Sequence, residues 1–566
     1  MFRMHAGNRF SLLVLLVFVA FLTRINGIGT VPPSLNWDEV SHGYNAYSIL
    51  STGMDEWGVK FPIIFRAYGD YKLPVYIYLT VVSEYFLGLS ILSVRLVSVL
   101  AGSLSVGFVY LLTLEIFRHD KRRNFISFGA AVLMALEPWS FFLSRGAFEA
   151  NLALFFVIAG FYFLLGGMRR SSFHVLIGVL FLGLSVWSYN SARVFVPLML
   201  VVYAVLYFGF LKRLWSAKPK VMLMATVLAA VLFLPMFWQL MRPEGTARFG
   251  WVSILDQGAI SEIESLRNDS SFSKPLSRML YNRFSYLAYK IGDNYISHYG
   301  VDFLFLNGGS NYQFSIPSYG LLYLVDLPFV IWGLFKLIGK RDRNYMFILF
   351  WLILAPVPAS LTRDAPHALR SIFMLPVPMI LSSLGLSDIY GRVRRKRVGF
   401  ALAGVYALLF LFFAIDYRAI YFTSYRVDFS KSWQFGYNEA VDYIHKHYDD
   451  YDKVVITKKY GEPHEFLLFW WPWNPQAYRV DPNLVRFNQT NWYWVDRFDK
   501  FYFVNDWEIE DDSYNFVTES DLKIDCEFKK CLLVTGENFE FEKWNLLKEI
   551  NYLDGSDAFR IYENFE

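Results

Sequence analysis

The run Pro32-Pro33-Ser34-Leu35-Asn36-Trp37-Asp38-Glu39-Val40-Ser41-His42-Gly43-Tyr44-Asn45-Ala46-Tyr47 places two adjacent carboxylates just beyond the first strongly apolar segment. An aspartate at such a position can serve as a general base or a metal ligand. It can equally cap the helix that follows, whose spacing sets Tyr44, Tyr47 and Leu50 on one face. Adjacent side chains in a loop point apart, so Asp38 and Glu39 are expected to do different jobs. Further along, Phe65-Arg66-Ala67-Tyr68-Gly69-Asp70-Tyr71-Lys72-Leu73-Pro74 ends with a lysine close to a proline. A lysine there either snorkels to lipid headgroups or neutralises a bound phosphate.

Three more turns carry charge next to apolar segments. Ser144-Arg145-Gly146-Ala147-Phe148-Glu149-Ala150-Asn151 opens a helix with Glu149 in its first turn, where the dipole favours a carboxylate. Arg145, four residues away, is either its structural partner or a ligand for an anion. Tyr189-Asn190-Ser191-Ala192-Arg193 and Arg363-Asp364-Ala365-Pro366-His367-Ala368-Leu369-Arg370 set arginines at helix starts, where the dipole disfavours them. Binding a phosphate or a sugar hydroxyl is one reason to keep them there. His367 alone is more often structural than catalytic. No G-x-x-x-x-G-K-[ST] phosphate cradle accompanies these residues.

The elements that must hold these residues follow from composition. Of 566 residues, 55% are hydrophobic and 18% charged, against about 25% charged in soluble domains. Residues 423–566 hold 16 Lys+Arg and 28 Asp+Glu, leaving 38 and 22 of the chain's 54 and 50 for the rest. A basic, apolar body thus carries an acidic tail. Eleven segments are long and apolar enough to cross a bilayer: 10–28, 92–117, 124–142, 148–167, 172–188, 193–211, 219–238, 318–338, 345–361, 368–390 and 398–418. Between them stand clusters at Arg118–Arg123, Arg169/Arg170, Lys212–Lys220, Lys336–Arg343 and Arg392–Arg397. Short basic loops stay cytoplasmic, as do Arg3 and Arg9. Loops 30–90 and 239–317 and the tail therefore face the extracytoplasmic side of a cell membrane.

Residues 73–89 are apolar, but counting them as a span would put Arg118–Arg123 on the wrong side, so an interfacial helix is expected. The first segment can also be read as a signal peptide, although no Ala-x-Ala site follows it. The predicted division is a transmembrane domain over 1–422 and a soluble α/β or α+β domain over 423–566. The long loop is expected to carry an interfacial helix over Pro275–Lys290. In the tail, Tyr437–His447 has helical spacing, and Lys453–Thr457 and Lys500–Val504 read as strands. Cys526 and Cys531, five apart, suit a local disulfide in an oxidising compartment. Phe469-Trp470-Trp471-Pro472-Trp473 and Trp492-Tyr493-Trp494 suit membrane anchoring or sugar stacking.

The set Asp38-Glu39, Asp70-Tyr71-Lys72-x-Pro74, Leu87-Gly88, Arg95 and Pro138…Ser144-Arg145…Glu149 resembles the bacterial relatives of dolichyl-phosphate-mannose protein mannosyltransferases, a group that includes the lipid A aminoarabinose transferase. The resemblance spans roughly residues 10–420 and is strongest in the first 155. His298-Tyr299…Phe303-Leu304-Phe305 and the Arg363–Arg370 turn are similar but less specific. It implies a GT-C fold and a polyprenyl-phosphate sugar donor. It implies Asp38 as base or metal ligand with Glu39 beside it, and Lys72 on the carrier phosphate. Glu149 stands where the family usually has Asp, which makes its role as a metal ligand less sure.

The expected activity is transfer of a sugar from a polyprenyl-phosphate carrier to an acceptor hydroxyl of a protein, lipid or glycan, outside the cell and with inversion. Asp38 and Glu39 are the expected catalytic pair. Lys72, Arg145, Arg193 and Arg370 are the expected phosphate ligands. His42, Asp70, Tyr71, His367 and Glu149 are further candidates, and a divalent metal on Asp38 and Glu149 is one option. The alternative class is a transporter or flippase for a lipid-linked saccharide, which would be expected to show repeated halves. No nucleic-acid partner is expected.

Overall fold

The computed structural model describes residues 6–242, 245, 250, 252–393, 395–489, 492–509, 514–536 and 543–564. Arg3 and Arg394 of the basic clusters and part of the 239–317 loop lie outside them. The chain divides into two compact units. One comprises 1–26, 98–144 and 148–418; the other comprises 27–97, 145–147 and 419–566. The break after Arg418 lies near the expected domain boundary, but residues 27–97 group with the tail rather than with the helical body.

The first unit is helical. Among the described residues, five helices are long and apolar enough to cross a membrane: Ile91–Ile116, Glu149–Gly167, Pro219–Leu240, Ile372–Arg392 and Arg397–Asp428. Ala192–Leu206 and Phe208–Ala217 make a sixth if counted as one, although they bend by 79°. Several of the eleven expected segments are shorter helices, and prolines explain two of them. Pro138 separates Arg123–Leu136 from Pro138–Leu143, and the helix Arg343–Leu354 stops before Pro356. Leu327–Ile338 and Val377–Arg392 approach closely through glycines. A Cβ on Gly333 would collide with the Leu381 carbonyl, and one on Gly385 with that of Phe329.

Four of the five basic clusters gather around three acids in this unit. Glu115 lies 3.7 Å from Arg118, 3.4 Å from Arg169 and 3.9 Å from Arg170. Asp388 pairs with Arg122 at 3.1 Å, Lys336 at 3.4 Å and Arg392 at 2.8 Å. Asp120 joins Arg122 and Lys340. Cations separated by up to about 270 positions thus share one end of the helical unit. In the 239–317 loop the single helix expected over Pro275–Lys290 is instead two, Lys274–Leu280 and Arg283–Ser297. Tyr281 ends the first and Asn282 caps the second, its side chain accepting from Phe284 and Ser285 N–H.

The second unit is built on a seven-stranded sheet. Its strands are β3 (Lys453–Thr457), β4 (Val485–Gln489), β5 (Trp492–Phe498), β6 (Phe501–Val504), β9 (Cys531–Thr535), β10 (Trp544–Asn551) and β11 (Asp557–Asn564), in the order β10-β11-β9-β3-β6-β5-β4. β3 runs parallel to β6 and β9, and every other pairing is antiparallel. The parallel centre is almost wholly buried, as its Val/Ile/Leu/Phe-rich runs require. A small ribbon, β7 (Asn515–Val517) with β8 (Lys523–Asp525), stands apart from the sheet order. The helix Tyr437–Lys446 and strands β3 and β6 lie within a residue of their expected bounds. Cys526 and Cys531 are disulfide-bonded.

In the aromatic runs, half-buried Trp471 and Trp473 meet edge to face at 4.9 Å and pack on Phe501 and Tyr448. Phe469 is buried against Gly43, where any Cβ would clash with its ring.

Candidate active site

The helix Trp37–Thr52 begins with a capping box that the sequence reading assigned differently. Asn36, not Asp38, is the cap. Its Oδ1 accepts the Glu39 N–H at 2.9 Å, and Glu39 Oε2 accepts the Asn36 N–H at 3.2 Å. With the cap supplied by Asn36, Asp38 needs no helix-terminal role. Its side chain is 56% exposed and pairs with Lys72, whose Nζ lies 3.0 Å from Asp38 Oδ1 and donates to the Asp38 carbonyl at 3.1 Å.

Lys72 reaches Asp38 because a short ribbon presents it. β1 (Phe65–Arg66) pairs antiparallel with β2 (Tyr71–Lys72), with Phe65 opposite Lys72 and Arg66 opposite Tyr71. Asp70 makes the turn: its Oδ1 accepts from Tyr71 N–H at 2.7 Å and its carbonyl accepts from Ala67 N–H. Asp70 therefore shapes the loop, and half-buried Tyr71 is part of its second strand. Tyr68 donates to the Trp37 carbonyl at 2.9 Å, stacks on Trp492 and lies 5.5 Å below the Lys72 ammonium. After Lys72 comes the helix Pro74–Leu87. It buries Tyr76, Ile77 and Thr80 and exposes Val82, Tyr85 and Phe86, the two-faced pattern of a helix lying at an interface.

Glu39 is 1% exposed and is gripped by Arg95, whose Nε and Nη2 donate to its two oxygens at 2.9 and 2.8 Å. Ala147 N–H adds a third bond to Oε1 at 2.8 Å. Its two carboxylate oxygens are thus both engaged by the protein. Arg95 completes the clamp by donating to the carbonyls of Ile28, Pro32 and Ser34. The sequence marks Arg95 only as a motif position, and an arginine near the start of an apolar helix is the available signal.

Arg145 is likewise buried. It donates to the Val31 carbonyl at 2.8 Å and to Tyr421, and lies over the Phe422 ring. That placement argues for holding the loop and against binding phosphate. His42 is buried with its ring 5.2 Å from Tyr76.

The remaining candidates belong to the helical unit. Glu149 is the first residue of its helix and is half-buried. Arg193 is committed to the Val186 carbonyl and Gln239. Arg370 bonds Thr362 at 3.0 Å and Asp364 at 3.4 Å. His367 accepts the Arg370 N–H through Nδ1 at 3.2 Å, and its own N–H donates to His298 Nε2 at 3.2 Å. The two less specific motifs thus meet through His298. As an expected metal pair, Asp38 and Glu149 fall in separate units.

His298 also carries a pH prediction. Its Nδ1 bonds the Asn294 carbonyl at 2.6 Å while Nε2 accepts, so the ring is held neutral. Burial lowers its pKa from 6.5 to about 4. Above pH 6.5 both folded and unfolded rings are neutral and nothing is lost. As pH falls from 6.5 to about 4 the unfolded ring takes up a proton that the folded one refuses, costing about 3 kcal/mol. Thermal melts of the detergent-solubilised protein should fall over that window, and less so in His298→Gln.

The family model described as dolichyl-phosphate-mannose-protein mannosyltransferase matches residues 14–244. The structure of ArnT from Cupriavidus metallidurans bound to undecaprenyl phosphate aligns with a TM-score of 0.52 and 12% identity, covering 99% of each chain. The chain has the fold of that structure. Two structures of the Archaeoglobus fulgidus oligosaccharyltransferase are also similar to it at 15% identity. The one tethered with an acceptor peptide containing the NVT sequon covers 82% of this chain and 63% of its own, with a TM-score of 0.49. The complex with Zn and sulfate covers 81% and 61%, with a TM-score of 0.48. The chain thus spans less than two thirds of the length of those oligosaccharyltransferases. A comparison with curated proteins finds no match.

Proposed function

We propose that this protein is a membrane glycosyltransferase that moves a sugar from a polyprenyl-phosphate carrier to an acceptor hydroxyl on the extracytoplasmic side, with inversion at the anomeric carbon. The observation that supports it is the Asp38–Lys72 ion pair. An accessible carboxylate and a nearly buried ammonium stand 3.0 Å apart beside a helix with an exposed apolar face. In this reading Asp38 takes the proton from the acceptor hydroxyl as the new bond forms. Lys72 stabilises the phosphate that leaves with the lipid. The helix Pro74–Leu87 lets the carrier approach from the bilayer. Arg145, Arg193 and Arg370 are already engaged with carbonyls or side chains, which narrows the phosphate role to Lys72.

The test is transfer of label from synthetic polyprenyl-phosphate sugars to a cell-envelope fraction by the purified protein. Transfer from at least one donor is expected. Absence of transfer from every donor, together with movement of a lipid-linked sugar across vesicles, would favour a flippase instead.

A further inference from the structure

The sheet unit buries a group of ionisable side chains that the transfer reading does not use. Glu56 follows the helix Trp37–Thr52, while His464 and Glu465 occupy the first turn of the helix Pro463–Trp470, immediately after Glu462. All four are at most 1% exposed. One ligand atom from each of Glu56, His464 and Glu465 lies within 4.8 Å of the other two. Outside the group itself, both carboxyl oxygens of Glu465, Oε2 of Glu56 and both ring nitrogens of His464 have no hydrogen-bond partner among the described residues; within it the Glu56 and Glu465 side chains interact. Leaving buried polar groups so is unfavourable.

The arrangement around His464 distinguishes its two nitrogens. Nε2 faces Glu465 Oε1 at 3.8 Å, and Nδ1 faces Glu462 Oε2 at 3.5 Å. Trp492 Nε1 holds the other Glu462 oxygen at 2.6 Å. A carboxylate behind an imidazole is the device that fixes the tautomer of a metal-binding histidine. On the far side, Asn45 Nδ2 donates to Glu56 Oε1 at 3.2 Å, so Oε2 is the oxygen left over. Ligand atoms about 3.4 Å apart suit a tetrahedral ion with bonds of about 2.1 Å, so small side-chain rotations would close the group. Three cations act nearby. Arg486 donates to the Glu56 carbonyl at 3.0 Å, Lys72 is already paired with Asp38, and Lys458 with Asp496 and Glu519.

We propose that Glu56, His464 and Glu465 bind a divalent transition-metal ion of the Zn2+ class, with Glu462 orienting His464. The mixed imidazole and carboxylate set favours such an ion over Ca2+ or Mg2+, which prefer oxygen ligands alone. The ion ties the loop after Trp37–Thr52 to the C-terminal sheet. It is a structural site, independent of the transfer reaction.

The full-length protein in detergent, stripped with a chelator, is titrated with Co2+ as a spectroscopic probe and then with Zn2+, with thermal melting followed in parallel. About one equivalent of Co2+ is expected, displaced by Zn2+, with a higher melting midpoint in the metal-loaded form. Glu462→Gln should weaken binding roughly 10–100-fold, and His464→Ala and Glu465→Gln should weaken it at least as much. The exposed-loop variant Asp449→Asn should bind as wild type. If His464→Ala fails to fold, the near-isosteric Glu465→Gln decides. Unchanged binding in Glu465→Gln overturns the proposal. So does a wild-type protein that takes up no metal and melts identically with and without it, in which case Glu56 and Glu465 share a proton instead.

Discussion

Asp38→Asn is expected to lower sugar transfer by about 10²–10⁴-fold, the span associated with loss of a general base, while the protein folds as before. Two observations set that expectation. The N-terminus of the helix is already satisfied by Asn36 and Glu39, so the amide removes no cap. The Asp38 side chain is more than half exposed, so its loss leaves no buried cavity. Lys72 keeps its bond to the Asp38 carbonyl and its contact with the Tyr68 ring. Transfer assays on wild type and variant, with melting curves from the same preparations, separate the outcomes. Activity within about twofold of wild type would remove Asp38 from the base role. A collapse of both activity and melting would make its role structural.

Arg95→Met carries the largest expected effect on stability. An arginine has five N–H donors, and here they serve both oxygens of Glu39 and the carbonyls of Ile28, Pro32 and Ser34. Methionine fills the space but supplies no donor. Glu39 would remain a buried anion with only main-chain N–H partners, and three carbonyls would lose their bonds. Breaking a buried pair in this way costs about 3–5 kcal/mol, enough to lower the melting midpoint by roughly 10 °C. Arg95→Lys should rescue little of it, because one ammonium cannot span five acceptors. A midpoint unchanged in Arg95→Met would mean that the loop 27–36 is held by other contacts.

The legible part of the site was the part that chemistry alone can mark. Asp38 and Lys72, 34 positions apart, were paired in expectation only through their motif and are paired in fact by the β1–β2 ribbon. A lone sequence cannot show which carboxylate faces inward: the burial of Glu39 depends on Arg95, 56 positions on. Arg193 and Arg370, expected phosphate ligands on dipole grounds, and Arg145, expected as an anion ligand or partner of Glu149, each bond a carbonyl, amide or hydroxyl of the chain, in two cases far along the sequence. The Glu56–His464–Glu465 group escaped notice because its members are about 400 residues apart and no short spacing announces them.

By itself the sequence determined what depends on local composition and period: an apolar helical body, basic clusters between its helices, the strands β3 and β6, and the Asp38 and Lys72 motifs. Those features follow from hydrophobic periodicity and charge, which act over one or two turns of chain. Tertiary structure alone decided which carboxylates are solvent-facing and which are buried. It also decided that residues 27–97 group with 419–566, and that Phe469 and Tyr493 of the aromatic runs are buried. These outcomes depend on long-range packing, where the cost of leaving a buried polar group unpaired selects partners that no local pattern can name.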